Sequence, residues 1–403
     1  MGQTVTEKII ASHAGVEQVL PGEIHQVSVD LLYIHDNNGP IAIQQFALIP
    51  GAAVWDPSRV RFILDHHAPA TTFRAAEHHR DLRAFAAKHG IELIDVGRGV
   101  SHAVVLEEGL VRPGQVVLGT DSHTVGLGVR GCLATGIGST EAAAVMYTGR
   151  IWMMVPETIR VVLNGSLPPA VSPRDVALLL LRHFGPSFLN YMAIEFYGDF
   201  VDGLGDEERM AITTMCLEMG VKNAVMPVGE PDAPRADPDA RYVSTVTFDV
   251  GTLEPMVATP GLPTNGVPVG SAVGTPIQQA TLGSCAGAYY HDLATAAEIL
   301  KGKHIAKGLR FVIVPNSSKV VAKAAETGVL TTLVEAGAVI GSPACGTCAG
   351  YEIGCLAPGE VCISTTTRNM DGRMGPGGEI YLAAAATVAA SALAGAIADP
   401  RKA

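Results

Sequence analysis

Short aliphatic and β-branched runs alternate with longer amphipathic stretches along most of this 403-residue chain. The apolar runs, bounded by Gly, Pro, Asp or Asn, predict strands at 26–34, 61–64, 92–95, 116–118, 158–163, 245–250 and 311–314. Between them the helical period predicts helices at 72–89, 139–150, 173–183, 207–220, 292–300 and 317–328. The Ala-rich stretch 382–398 predicts a packed terminal helix. Alternation of this kind is the pattern of α/β layers. Asp95, Thr120 and Asp121 fall where strands run into loops, the usual place for functional groups in open sheets. The stretch 152–156 closes a first unit, and 229–239 reads as a surface excursion. The Pro- and Gly-rich 255–276 reads as a linker into a last domain.

Composition narrows the class. With 48% hydrophobic and 17% charged residues, the chain is not disordered. No apolar run reaches about 18 residues, so no membrane span is expected. The first residues lack a basic region followed by an apolar one, so no secretory signal is visible and a cytoplasmic location is expected. Seven cysteines without a compact framework read as reduced thiols and metal ligands rather than disulfides. A net charge of −11 argues against a nucleic-acid partner, while a local arginine pair can still dominate a small anion site.

The chemistry gathers in a few segments. Cys285 in Gly283-Ser284-Cys285 and the distant Cys345-Gly346-Thr347-Cys348 give three thiolates, one fewer than a closed metal site needs. That points to an open-coordinated metal and Lewis-acid work. Cys355 and Cys362 offer a competing four-thiolate structural zinc, whereas Cys132 and Cys216 read as core residues. Asp65-His66-His67 and Thr120-Asp121-Ser122-His123-Thr124 each set a carboxylate beside an imidazole at a strand end, a proton-transfer arrangement. Glu77-His78-His79-Arg80 reads as a solvated helix face. Gly126-Leu127-Gly128-Val129-Arg130-Gly131 matches a dinucleotide-binding spacing. The strand ends too early and no acidic residue follows about 20 positions on, so these glycines are read as close packing beneath the 121–123 loop. Arg368 and Arg373, five residues apart in a Gly-containing loop, suit carboxylate recognition.

The ordered set Asp65-His66, Thr120-Asp121-Ser122-His123-Thr124, Gly283-Ser284-Cys285, Cys345-x-x-Cys348 and Arg368-Asn369-x-x-Gly372-Arg373 resembles the aconitase superfamily. Within it, the match is to isopropylmalate isomerase and homoaconitase large subunits, from Lys8 to Arg401. The resemblance implies a three-domain α/β core, divided as 1–157, 158–248 and 249–403. A swivelling fourth domain would lie on a separate small subunit, bringing the base serine and an arginine, so this chain alone would be catalytically incomplete. It implies that Cys285, Cys345 and Cys348 hold a [4Fe–4S] cluster with one open iron. Asp65 and His66 would protonate the departing hydroxide. Asp121 and His123, with Glu218 orienting His123, would handle water. Arg368 and Arg373 would clamp a carboxylate, with Ser122 and His35 nearby. The implied substrate is a small hydroxy di- or tricarboxylate, with isopropylmalate leading and homoaconitate, citraconate, maleate or dimethylmalate behind. A non-catalytic metal-binding protein and a zinc hydrolase using His66 and His123 are the rivals from other classes. The chain departs from the family at Ala286, Gly287 and Tyr289, and has Thr214 and Thr367 where asparagines are usual. Those changes predict an altered cluster environment.

Overall fold

The computed structural model describes residues 2–350 and 353–403. Three parallel sheets organise the chain. The first has five strands in the order Glu92–Ile94, Val60–Ile63, Leu31–His35, Val116–Gly119, Leu133–Gly136. Its inner strands are buried along their whole length on Leu31–His35 and Val116–Gly119, as a sheet covered on both faces requires. A second sheet runs Asn223–Val225, Ala193–Tyr197, Thr158–Asn164, Thr245–Asp249. A third sets five parallel strands beside an antiparallel edge, in the order Gly266–Pro268, Met256–Ala258, Glu379–Ala383, Val361–Ser364, Gln279–Leu282, Arg310–Ile313, Ala338–Ile340.

Strand order positions the site. In the first sheet the chain leaves Leu31–His35 toward Val60–Ile63 on one side and later returns to Val116–Gly119 on the other. In the third it leaves Gln279–Leu282 toward Arg310–Ile313 and returns to Val361–Ser364. Each reversal opens a crevice at the carboxyl ends of the strands. Asp65 and Asp121 follow the first crevice, and Cys285 and Arg368 the second. The two are tied together where the Cys345 N–H donates to the Asp65 carbonyl at 2.8 Å.

Several expectations need correction. The predicted strand 26–34 is two strands in two sheets. Ile24–Ser28 pairs antiparallel with Arg150–Met154, and Leu31–His35 begins after Asp30, whose carboxylate binds His13 and the Val116 N–H. The stretch 255–276 is not a linker: Met256–Ala258 and Gly266–Pro268 form the antiparallel edge, where Pro268 forfeits no central ladder bond. Leu382 and Ala383 end a strand, and the buried terminal helix is Ala385–Ala394. The helix expected at 207–220 is α over Asp206–Thr213 and tightens to a 3-10 turn over Thr214–Met219. Among the described residues no helix is long and apolar enough to cross a membrane.

Candidate active site

The first crevice supplies imidazoles and carboxylates. His35 ends its strand with Nε2–H donating to the Thr120 carbonyl at 3.0 Å, while Nδ1 accepts from the Asn37 N–H at 3.2 Å. These bonds define a neutral ring, and burial together with neighbouring His66 lowers its pKa. His35 stacks on His66 with ring centroids 4.0 Å apart. His66 Nδ1–H donates to Asp65 Oδ1 at 2.8 Å, and its Nε2 faces Asp121 Oδ2 at 3.3 Å. Burial opposes charge on His66, but the two carboxylates outweigh it and hold the ring well above its ordinary range. Both His66 ring nitrogens thus face carboxylate oxygens, which favours the imidazolium. The other Asp65 oxygen accepts the Ser101 N–H at 2.7 Å.

Asp121 caps the following 3-10 turn, accepting the His123 N–H at 2.6 Å. His123 Nε2 meets Glu218 Oε1 at 3.0 Å, and Arg368 Nε donates to the same oxygen at 2.7 Å. Burial works against charge on His123, yet Cys285 and Glu218 raise it to about 10. Arg368 also donates from Nη2 to Ser122 Oγ at 3.2 Å. Arg373 donates from Nε to the Cys348 carbonyl at 2.9 Å and reaches the Cys348 Sγ at 3.5 Å.

The second crevice supplies the thiols. Cys285 follows Ser284, a non-glycine residue in the left-handed region at φ 71°, the sort of strained backbone that collects at functional sites. Burial opposes ionisation of Cys285, but His123 and His102 prevail and bring it down to about 6. Cys348 is held well below the usual thiol range, first by the Cys345 hydrogen bond and then, against burial, by Arg373. A cavity of about 190 Å³ lies between the two crevices. His35, His66, Asp121, Ser122, His123, Arg368, Arg373 and the three cysteines all line it. Asp65 and Glu218 stand behind His66 and His123. A larger groove of about 820 Å³, with Arg160, Arg235 and Arg241 on its walls, contains no thiol and none of these residues.

The donor set discriminates between metal readings. One zinc ion with thiolates at about 2.3 Å brings sulfurs to about 3.8 Å of one another. Among the described residues, the one Cys/His/Asp/Glu group whose ligand atoms all lie within 4.8 Å is His35, Asp36, Asp65 and His66. The three thiols are spread wider than a single ion spans, around a cavity, which fits a polynuclear group. The four-thiolate zinc is not assembled: Cys355 is exposed, and Cys362 is buried against Gln279 and Thr281. The zinc-hydrolase reading fails similarly, because His66 and His123 share no such group.

Sequence reasoning missed three residues. Asp36, 1% exposed, accepts the Asp65, His66 and His67 N–H groups at 3.1, 2.8 and 2.8 Å, and His79 Nε2 at 3.0 Å. His79, expected on a solvated face, is buried. It belongs to the inward stripe Ala75, His79, Leu82, Ala86, a helical period visible in the sequence. His102 lines the cavity with Nδ1 3.9 Å from Asp121 Oδ1. Of the unusual threonines, Thr367 Oγ1 lies 3.7 Å from Cys348 Sγ, whereas buried Thr214 Oγ1 has no hydrogen-bond partner among the described residues. A Cβ at Gly287 would stand 2.6 Å from Thr365 Oγ1, so this chain has no room there for a side chain.

The chain is similar to known proteins along its whole length. The chain is similar to the 3-isopropylmalate dehydratase large subunit 1 of Methanopyrus kandleri, at 43% identity over 100% of the chain and 99% of the relative. It is 41% identical to the probable methanogen homoaconitase large subunit of Methanothermobacter thermautotrophicus, over 99% of the chain and 97% of the relative. The crystal structure of Thermococcus kodakaraensis aconitase X (holo-form) shares the fold, with a TM-score of 0.56 at 15% identity, covering 90% of this chain and 89% of that one. The family model described as aconitase family (aconitate hydratase) matches residues 7–233 and 230–395. The chain thus belongs to the aconitase family and is an enzyme of its hydro-lyase type.

Proposed function

We propose that the chain is the large subunit of an iron–sulfur hydro-lyase that reversibly dehydrates a malate-type hydroxy dicarboxylate, with 3-isopropylmalate/2-isopropylmalate isomerisation as the leading reaction. The observation that carries this reading is the convergence of three thiols, two imidazole–carboxylate couples and two guanidinium groups around one small cavity. Cys285, Cys345 and Cys348 would hold a [4Fe–4S] cluster through three of its irons. When bound, that cluster supplies a Lewis acid for a substrate hydroxyl at its open iron.

The chain's own residues handle charge and protons. His66, protonated between Asp65 and Asp121, donates from Nε2 to the departing hydroxyl. Asp121 and His123 manage water in the hydration direction, with Glu218 fixing the His123 ring. Arg368 and Arg373 offer two cations to a carboxylate, and Ser122 and neutral His35 border it. Ser122 accepts from Arg368, and the family resemblance implies that the serine that removes the carbon-bound proton would come from a separate subunit. A separate small subunit bearing a serine and an arginine fills that role, and the relatives' large-subunit names support such a partner. The same reading divides the chain at 1–157, 158–248 and 249–403, supported by the grouping of strands into three parallel sheets.

A second reading keeps the chemistry and changes the acid to homoaconitate, citraconate, maleate or dimethylmalate. It is favoured by the nearly equal identity to relatives of both names and by Thr367 beside Cys348. Co-expression with the genomic small-subunit neighbour, followed by alkene absorbance on a panel of malates, separates the two. Turnover of isopropylmalate supports the first, and turnover of another acid alone supports the second. No turnover of any acid by protein containing iron and sulfide would overturn the enzymatic assignment. Cys345→Ser should abolish turnover and most bound iron.

A further inference from the structure

Arg174 is a buried cation with no carboxylate counter-ion among the described residues. It opens the helix Pro173–Phe184, is 4% exposed, and donates from Nη2 to the Thr366 carbonyl. Among the described residues its buried Nε and Nη1 have no hydrogen-bond partner. Among the described residues it forms no ion pair with a carboxylate. Asp175 spends its oxygens on Ser172 and the Met256 N–H, and Asp292 on Tyr289 and His291. Leaving a guanidinium desolvated and unanswered is strongly unfavourable, so a folded protein keeps one only where something compensates it. Burial pulls Arg174 down to about 10, which leaves it charged at neutral pH. The groups that favour its charge are, in order, Cys285, Asp292, Asp175 and Cys348. Its single acceptor also points toward the thiols. Thr366 lies between Thr365, which bonds both backbone groups of Gly283, and Thr367, which touches Cys348. Arg174 itself does not line the substrate cavity.

We infer that Arg174 is a buried counter-cation for the anionic group held by Cys285, Cys345 and Cys348, standing behind that group on the side away from substrate. This rests on the iron–sulfur reading above. Three thiolates on a [4Fe–4S]2+ core leave one net negative charge, and reduction adds another. A fixed cation close by therefore favours both retention and reduction, since net charge and hydrogen bonding set a cluster's properties. Arg174 is a positioning residue, and its signature is electrostatic.

The test uses the full chain reconstituted anaerobically with ferrous iron and sulfide, as wild type, Arg174→Met and Arg174→Lys. The readouts are melting temperature with and without the cluster, the rate at which EDTA bleaches cluster absorbance, and the midpoint potential. Arg174→Met should leave the cluster-free melting temperature unchanged or raised, because an uncompensated charge is gone. The same variant should shrink the gain in melting temperature on loading, bleach about tenfold faster or more, and shift the potential downward. Arg174→Lys should recover most of each. Equal destabilisation of loaded and cluster-free protein, or wild-type retention and potential in Arg174→Met, would overturn the inference. If Arg174→Met fails to fold, Arg174→Gln carries the same expectations. Wild-type protein that takes up no sulfide would instead overturn the iron–sulfur reading, and is distinguished by that control alone.

Discussion

One carboxylate, Asp36, organises the turn that carries Asp65 and His66. Both of its oxygens are occupied, by three consecutive N–H groups and by His79. Asp36→Ala should lower unfolding free energy by about 3–5 kcal/mol, the usual loss on removing a partner from a buried charged network, and should abolish turnover. Urea unfolding of the variant measures it, and a change within about 0.5 kcal/mol would refute the role. The sequence displayed Asp65 and His66 as neighbours, but the partners of Asp36 lie 29–43 positions away, beyond any local pattern. His102 was hidden for the same reason. A second prediction concerns His13 and Asp30, 2.7 Å apart and half-buried. Burial opposes charge on His13, but Asp30 raises its pKa; burial likewise opposes charge on Asp30, but His13 and the Val116 N–H lower it. The His13 contribution is full below about 6.5 and is lost as pH rises through its folded pKa; the Asp30 contribution is full above about 3.9 and is lost as pH falls through its folded pKa. Stability measured from pH 5 to 9 should fall with rising pH in wild type and less so in Asp30→Asn. Parallel curves would remove the pair from the account.

At the scale of elements, the glycine-rich turn after Asp121 shows what spacing can and cannot reveal. Its dinucleotide-like pattern serves packing: a Cβ on Gly128 would lie 1.9 Å from the Ala224 carbonyl oxygen. Gly128→Ala should cost about 1–3 kcal/mol, as overpacking usually does, and should lower turnover at equal iron content because the same turn carries His123. Unchanged stability by denaturant titration would contradict this packing. The strands that lead into Cys285 and the arginines, Gln279–Leu282 and Val361–Ser364, were not legible as strands. Their runs are short and interrupted by Gln, Thr, Cys and Ser, whose polar atoms find partners only within the finished sheet. The edge at 256–268 was misread because proline and glycine mark linkers and edge strands alike. Alternating strands and helices were legible because parallel sheets demand continuous apolar runs.

At the scale of the whole molecule, the site exists only where two sheets meet. The first brings acid–base groups to its reversal, the third brings thiols and arginines to its own, and the Cys345–Asp65 backbone bond joins them. A group bound between the two should therefore stabilise the entire chain by mass action. Stripping with ferricyanide and EDTA should lower the melting temperature by several degrees, and iron with sulfide should restore it. An unaltered melting curve would mean that the thiols hold nothing that braces the fold. Ten of the twelve residues singled out in the sequence line one cavity, because their chemistry is rare and their order along the chain fixed, whereas the braces behind them were not legible. The most direct test of the central claim is metal and acid-labile sulfide analysis of anaerobically purified protein. About four irons and four sulfides per chain is the expected result, and one zinc with no sulfide would contradict it.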